Sequence, residues 1–142
     1  MKKLLVLLVL FIITGCGNDD VANLDINKTS QIIENSLTNM EVVEGEELQN
    51  IYDLKLDSLQ EYIVKKNNDG DMYAIIKTND KMDVKEQMDK YFDKVRDFNT
   101  AYSPERVELI DDRLEKEIGD YLIFIVAIDS EKIYQNIISN IK

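Results

Sequence analysis

Apolar positions follow two rhythms along this chain, a helical one and an alternating one, and most of the chain divides into elements on that basis. Ile26, Ile32, Ile33, Leu37 and Met40 have the one-sided spacing of a helix over residues 28–39, with Asn27 placed to cap it. Residues 46–52 suggest one or two further turns of helix, with Leu48, Ile51 and Tyr52 inward, before an irregular stretch through Leu59. Residues 61–66 and 72–78 are rich in Tyr, Ile and Val. Asn67-Asn68-Asp69-Gly70-Asp71 between them tolerates left-handed turn conformations, so the pair predicts a β-hairpin. Asp83 with Glu86 three residues on matches a capping box, and Val84, Met88, Tyr91, Phe92, Val95 and Phe98 then fall on one face of a helix over 83–99.

After Ser103, Pro104 suits the first turn of a short helix carrying Val107 and Ile110, because its missing N–H has no partner to lose there. Residues 113–118 read either as continued helix or as an alternating edge strand, and strand is chosen because Gly119-Asp120 follows as a tight turn. Residues 121–128 (YLIFIVAI) are apolar throughout, which predicts a central strand covered on both faces or on one face plus a helix edge. Asp129-Ser130 caps a last helix whose stripe is Ile133, Tyr134, Ile137, Ile138 and Ile141. The pattern is thus strand-strand-helix twice, which predicts an α+β fold: a four-stranded antiparallel sheet in order 1-2-4-3, two ββα units with helices packed on one face, and an N-terminal helix. The apolar strands take the centre, and the charged ones, 61–66 and 113–118, blunt the edges.

Ahead of all this, Lys2 and Lys3 precede an unbroken apolar run at 4–13, and Ile13-Thr14-Gly15 leads directly into Cys16. That is the order of a bacterial lipobox: the run inserts, small residues admit a peptidase, and the Cys16 thiol takes a diacylglyceryl group. Residues 1–15 are then a lipoprotein signal peptide, 16–23 the lipidated cysteine and a polar tether, and 24–142 one domain. A retained membrane helix needs roughly 20 apolar residues, about twice this run. An ordinary secretory peptide leaves unexplained why the only cysteine of 142 residues stands where lipidation requires it. Two acyl chains of the palmitate kind hold a protein stably where one does so only reversibly. The expected location is therefore the extracytoplasmic face of the cell membrane.

Composition narrows the chemistry. Without its leader the chain carries 15 basic residues against 28 acidic ones, a net charge of −13, which excludes nucleic acid as a partner and keeps the domain off anionic lipid. Histidine is absent and Cys16 is consumed, so imidazole and thiolate chemistry, the commonest zinc ligands and intrachain disulfides all fall away. Asn67-Asn68-Asp69-Gly70-Asp71 fails as an EF-hand loop, because aligning Gly70 with the sixth position puts Lys65 first and Ile76 twelfth. Asp111-Asp112 with Glu115 and Glu117 offers a cation site or an acid/base pair for glycan cleavage, but chance clusters are common among so many acids. Tyr91, Phe92, Phe98 and Phe124 are assigned to the core, while Tyr52, Tyr62, Tyr73 and Tyr102 are less committed and open to a sugar or peptide groove, though without tryptophan a carbohydrate platform loses its best stacking residue.

Glu61-Tyr62-Ile63-Val64, Ala74-Ile75-Ile76-Lys77, Tyr102-Ser103-Pro104 and Gly119-Asp120-Tyr121 together resemble a family of small lipoproteins from Gram-positive anaerobes known as domain of unknown function 4358. The resemblance covers roughly residues 48–142, and Asp120 departs from it where Asn is expected. It implies an exported lipoprotein and supplies no activity, so no catalytic residue, cofactor or metal ligand is assigned. The expected function is a small binding module of the cell envelope, anchored to the membrane through Cys16 and facing an envelope protein or cell-wall component. The alternative is a carboxylate-dependent enzyme acting on cell-wall glycan, which would need two carboxyls about 5–10 Å apart in a cleft. A transporter's solute receptor needs two lobes, and this chain has length for one.

Overall fold

A five-stranded antiparallel sheet organises residues 24–141, the part of the chain that the computed structural model describes. Cys16, the leader and the tether lie outside the described residues. The strands are β1 (Glu41–Val42), β2 (Glu61–Lys66), β3 (Met72–Lys77), β4 (Leu114–Ile118) and β5 (Tyr121–Val126), in the order β1-β2-β3-β5-β4. The expected sheet of four strands is therefore corrected. β1 adds a strand outside β2, pairing Glu41 with Lys66 and Val42 with Lys65, so β2 is an inner strand. β1 escapes a reading by pattern because it is two residues long and both are exposed, which leaves no alternation to see.

The layering differs as well. β3 and β5 bury residues on both faces, and a second layer of helices is needed to keep Tyr73, Ile75, Ile123 and Ile125 out of water. On one face, Ala74, Ile76, Leu122 and Phe124 pack against α2 (Gly45–Asn50), α3 (Lys81–Thr100) and α4 (Pro104–Asp111) through Leu48, Met88, Phe92 and Ile110. On the other, Tyr73, Ile75, Ile123 and Ile125 pack against α1 (Ile26–Glu34) and α5 (Ser130–Asn140) through Ile33, Ile133 and Ile137. The fold is an α/β/α sandwich around an antiparallel sheet, and the helices do not share one face.

Helix starts also shift. α1 begins two residues early because Asp25, not Asn27, accepts the Lys28 amide at 3.0 Å. α3 begins at Lys81 because Asp80 accepts the Asp83 amide at 3.0 Å, while Glu86 pairs with Lys90 instead of closing a capping box. Asp129 precedes α5 without a side-chain cap bond. Phe98, assigned to the core, is 64 % exposed, since α3 by then has run past the edge of the sheet's apolar surface.

The segment from Asp25 to Thr38, with α1 in it, reaches toward both ends of the sheet. At its start, Asp25 is close to Tyr121, whose phenol burial raises, with added contributions from the charges of Glu61 and Asp25. Just past the end of α1, the Asn67 amide donates to the Thr38 carbonyl at 3.1 Å, at the turn joining β2 to β3. The described chain therefore enters at the Tyr121 end, and the 67–71 turn lies at the opposite end.

Candidate functional site

The acidic cluster does not form a cleft pair. Asp111 receives the Arg96 guanidinium at 2.9 Å, Glu115 receives Arg113 at 2.8 Å, and Glu117 receives Lys81 at 3.1 Å and also Lys85. Hydrogen bonds from Lys85 and Lys81 hold the Glu117 carboxyl below its ordinary value, the wrong direction for a general acid. Arg113 also reaches Asp89 at 2.7 Å and lies 4.8 Å over the Phe92 ring, so it fastens β4 to α3. Among the described residues no three acids gather as cation ligands would.

Asn67-Asn68-Asp69-Gly70-Asp71 is a hairpin turn held by its first side chain. Asn67 Oδ1 accepts the amides of Asp69 at 3.0 Å and Asp71 at 2.9 Å, while its amide nitrogen donates to Asp71 at 3.0 Å. Gly70 has φ +97°, a conformation that side chains resist, and Arg106 of α4 lies directly over it.

The four tyrosines separate. Tyr102 is exposed. Tyr62 borders a broad groove between β2 and α1. Tyr73 is buried, donating to Glu34 Oε1 at 2.6 Å and accepting from Ser30 at 2.6 Å. Lys65 donates to that same Glu34 oxygen at 2.5 Å, and the single Ser30 proton is divided between it, at 3.0 Å, and the Tyr73 oxygen. Burial raises the Glu34 carboxyl, but the hydrogen bonds from Lys65, Tyr73 and Ser30 outweigh it and leave a lowered pKa. Burial and the Glu34 hydrogen bond raise the Tyr73 phenol beyond any working pH. This knot is closed on itself and ties α1 to the sheet; it holds no activated nucleophile.

Tyr52 lines the pocket at the 67–71 end of the molecule, a space of about 180 Å³. Lys66, Asn67 and Gly70 come from the hairpin, Val95, Phe98 and Asn99 from α3, Arg106 and Ile110 from α4, with Met72 behind. No carboxylate lines it, in a chain with 28 acids. Lys66 is neutralised by Glu47 at 2.5 Å. Arg106 is the one arginine of three without a carboxylate among the described residues; a single N–H goes to the Asn68 carbonyl. Burial raises the Tyr52 phenol, so it stays a neutral donor, and its ring rests 4.5 Å from Tyr91. Beside the mouth, Phe98 and Ile51 stand exposed around the Lys94–Asp53 pair.

The family model described as Domain of unknown function (DUF4358) matches residues 34–127, about two thirds of the chain. The chain belongs to this family. The match extends from the end of α1 to just past β5, rather than over 48–142, so every residue lining the pocket lies within the DUF4358 region while Cys16 and α5 lie outside it. Neither a curated protein nor a solved structure matches the chain. Reading the sequence identified Tyr52 as a surface candidate but passed over Lys66, Asn99 and Arg106. The available signal was Arg106 two residues after Pro104: a short helix presenting a cation opposite a glycine turn.

Proposed function

We propose that this protein is an extracytoplasmic binding module of the cell envelope, a lipoprotein of the Gram-positive type held to the membrane by a diacylglyceryl thioether on Cys16. The observation that carries the binding reading is the pocket at the 67–71 end: Arg106 with no carboxylate partner, Lys66 matched by Glu47 and a neutral phenol beside an apolar wall, with no acid in the lining, in a strongly acidic chain. Such convergent polar groups over apolar lining are what small recognition sites are made of. The lipid anchor is supported by Lys2 and Lys3, the apolar run and Ile13-Thr14-Gly15-Cys16. The glycan-cleaving alternative loses ground because each acid of its cluster except Asp112 carries an ion pair, and the lowered Glu117 carboxyl is shifted away from what a general acid needs.

Expression in a bacterial host with a labelled fatty acid tests the anchor. The protein should label and partition into detergent, and Cys16→Ser should abolish both; labelling that survives the substitution refutes the lipoprotein reading. Envelope extract passed over the wild-type protein and over Arg106→Gln tests the binding reading, which predicts a component retained by the first and lost from the second.

A further inference from the structure

We infer that the pocket at the hairpin end takes a monoanionic carboxylate carrying a short apolar group, with Arg106 as its charge partner. The inference rests on the binding reading above and names its ligand class. Arg106 presents five N–H donors in a planar fork, and the protein spends one of them on the Asn68 carbonyl. Its stem lies across Gly70, where an added Cβ would come within 2.9 Å of Arg106 Cδ and Nε. The guanidinium is thus pre-positioned, while its remaining donors have no partner among the described residues, an arrangement suited to bidentate capture of a carboxylate.

The charge count sets the valence. Lys66 is matched by Glu47, so the pocket offers one uncompensated positive charge, which suits one negative charge rather than two. The protein's field opposes a dianion further, at a net −13 without the leader. Met72, Val95 and Ile110 form an apolar wall and Phe98 stands over the rim, so the group attached to the carboxylate is apolar; a volume near 180 Å³ limits it to a few carbons. Tyr52, kept neutral, can donate to the same anion. That chemistry is shared by a free short-chain fatty acid and by the C-terminus of a peptide ending in a small apolar residue.

Titration of the detergent-solubilised full chain, followed by NMR shifts, separates these cases. The probes are N-acetyl-Ala-Val with a free carboxylate, the same dipeptide as its C-terminal amide, isovalerate, and inorganic phosphate. The free-carboxylate dipeptide should bind at least tenfold more tightly than the amide, and Arg106→Gln should lose at least tenfold. Phe98→Ser, at an exposed rim position, should weaken binding several-fold while leaving the spectrum folded. Isovalerate binding as tightly as the dipeptide identifies the free acid as the source; dipeptide binding ten times tighter identifies a chain terminus. The inference is overturned if amide and carboxylate bind alike, if folded Arg106→Gln binds unchanged, or if phosphate displaces the dipeptide. Should Arg106→Gln fail to fold, the amide comparison on the unaltered protein decides. Loss of fatty-acid labelling would leave this result standing, so failure of the anchor and failure of the ligand class are told apart.

Discussion

Truncating Phe124 and Ile125 separately measures whether the sheet is covered on both faces. The two are neighbours on β5, so their side chains point to opposite sides. Phe124 is 1 % exposed, 5.8 Å from the Phe92 ring, which in turn meets Tyr91 at 5.2 Å and Arg113 at 4.8 Å. A hole there opens in a row of rings fixed on α3 that cannot close around it, so Phe124→Ala should cost about 3–5 kcal/mol. Ile125 is fully buried among Tyr73, Leu114 and the α1 and α5 isoleucines, and Ile125→Ala should cost about 2–5 kcal/mol. For a domain of this size each kcal/mol lowers Tm by roughly 3–6 °C, so both variants should melt at least about 6 °C below wild type. Glu115→Gln, on the exposed side of β4, is the control and should cost under about 0.5 kcal/mol. Urea melts followed by circular dichroism give the three values. If one core truncation is costly and the other matches the control, one face of β5 is open and the sandwich is wrong.

Three further outcomes follow from individual contacts. The Glu34 carboxyl is lowered in the fold, so its stabilisation is present above the ordinary carboxyl pKa of about 4.3 and is lost as pH falls through the folded value; the Tm gap between wild type and Glu34→Gln should be widest near neutrality and close on acidification. A gap that widens in acid refutes the sign. Gly70→Ala forces a side chain into φ +97° and displaces Arg106, and should cost about 1–3 kcal/mol in denaturant melts. Asp80→Ala removes a cap bond and should cost about 1 kcal/mol, whereas Asp129→Ala, at a helix start with no such bond, should cost under about 0.5 kcal/mol in the same assay.

What sequence reasoning recovered depended on how local the cause was. The β2–β3 hairpin and most of α3 were legible because Asn67, Gly70 and the Val84–Met88–Tyr91–Phe92–Val95 stripe are each decided within a few residues. The α3 start was misplaced by a competition between two nearby aspartates: Asp83 fits the capping pattern, yet it is Asp80 whose side chain receives an amide. That β5 is buried on both faces was visible in its composition, but which helix covers which face was not, because Ile133 and Ile137 of α5 and Met88 and Phe92 of α3 carry similar apolar stripes. The pocket was illegible for a different reason. Tyr52, Lys66, Asn99 and Arg106 meet only once four segments have folded, and no spacing along the chain relates them.

The placement of α1 has a mechanical corollary. The described chain begins toward the Tyr121 end of the sheet and the pocket opens at the end marked by Asn67, so a six-residue strand, about 20 Å of rigid protein, separates the two. With Cys16 acylated, residues 17–23 add a line of at most about 25 Å, whatever path they take. On the lipoprotein reading proposed above, the mouth could then stand up to roughly 45 Å from the bilayer.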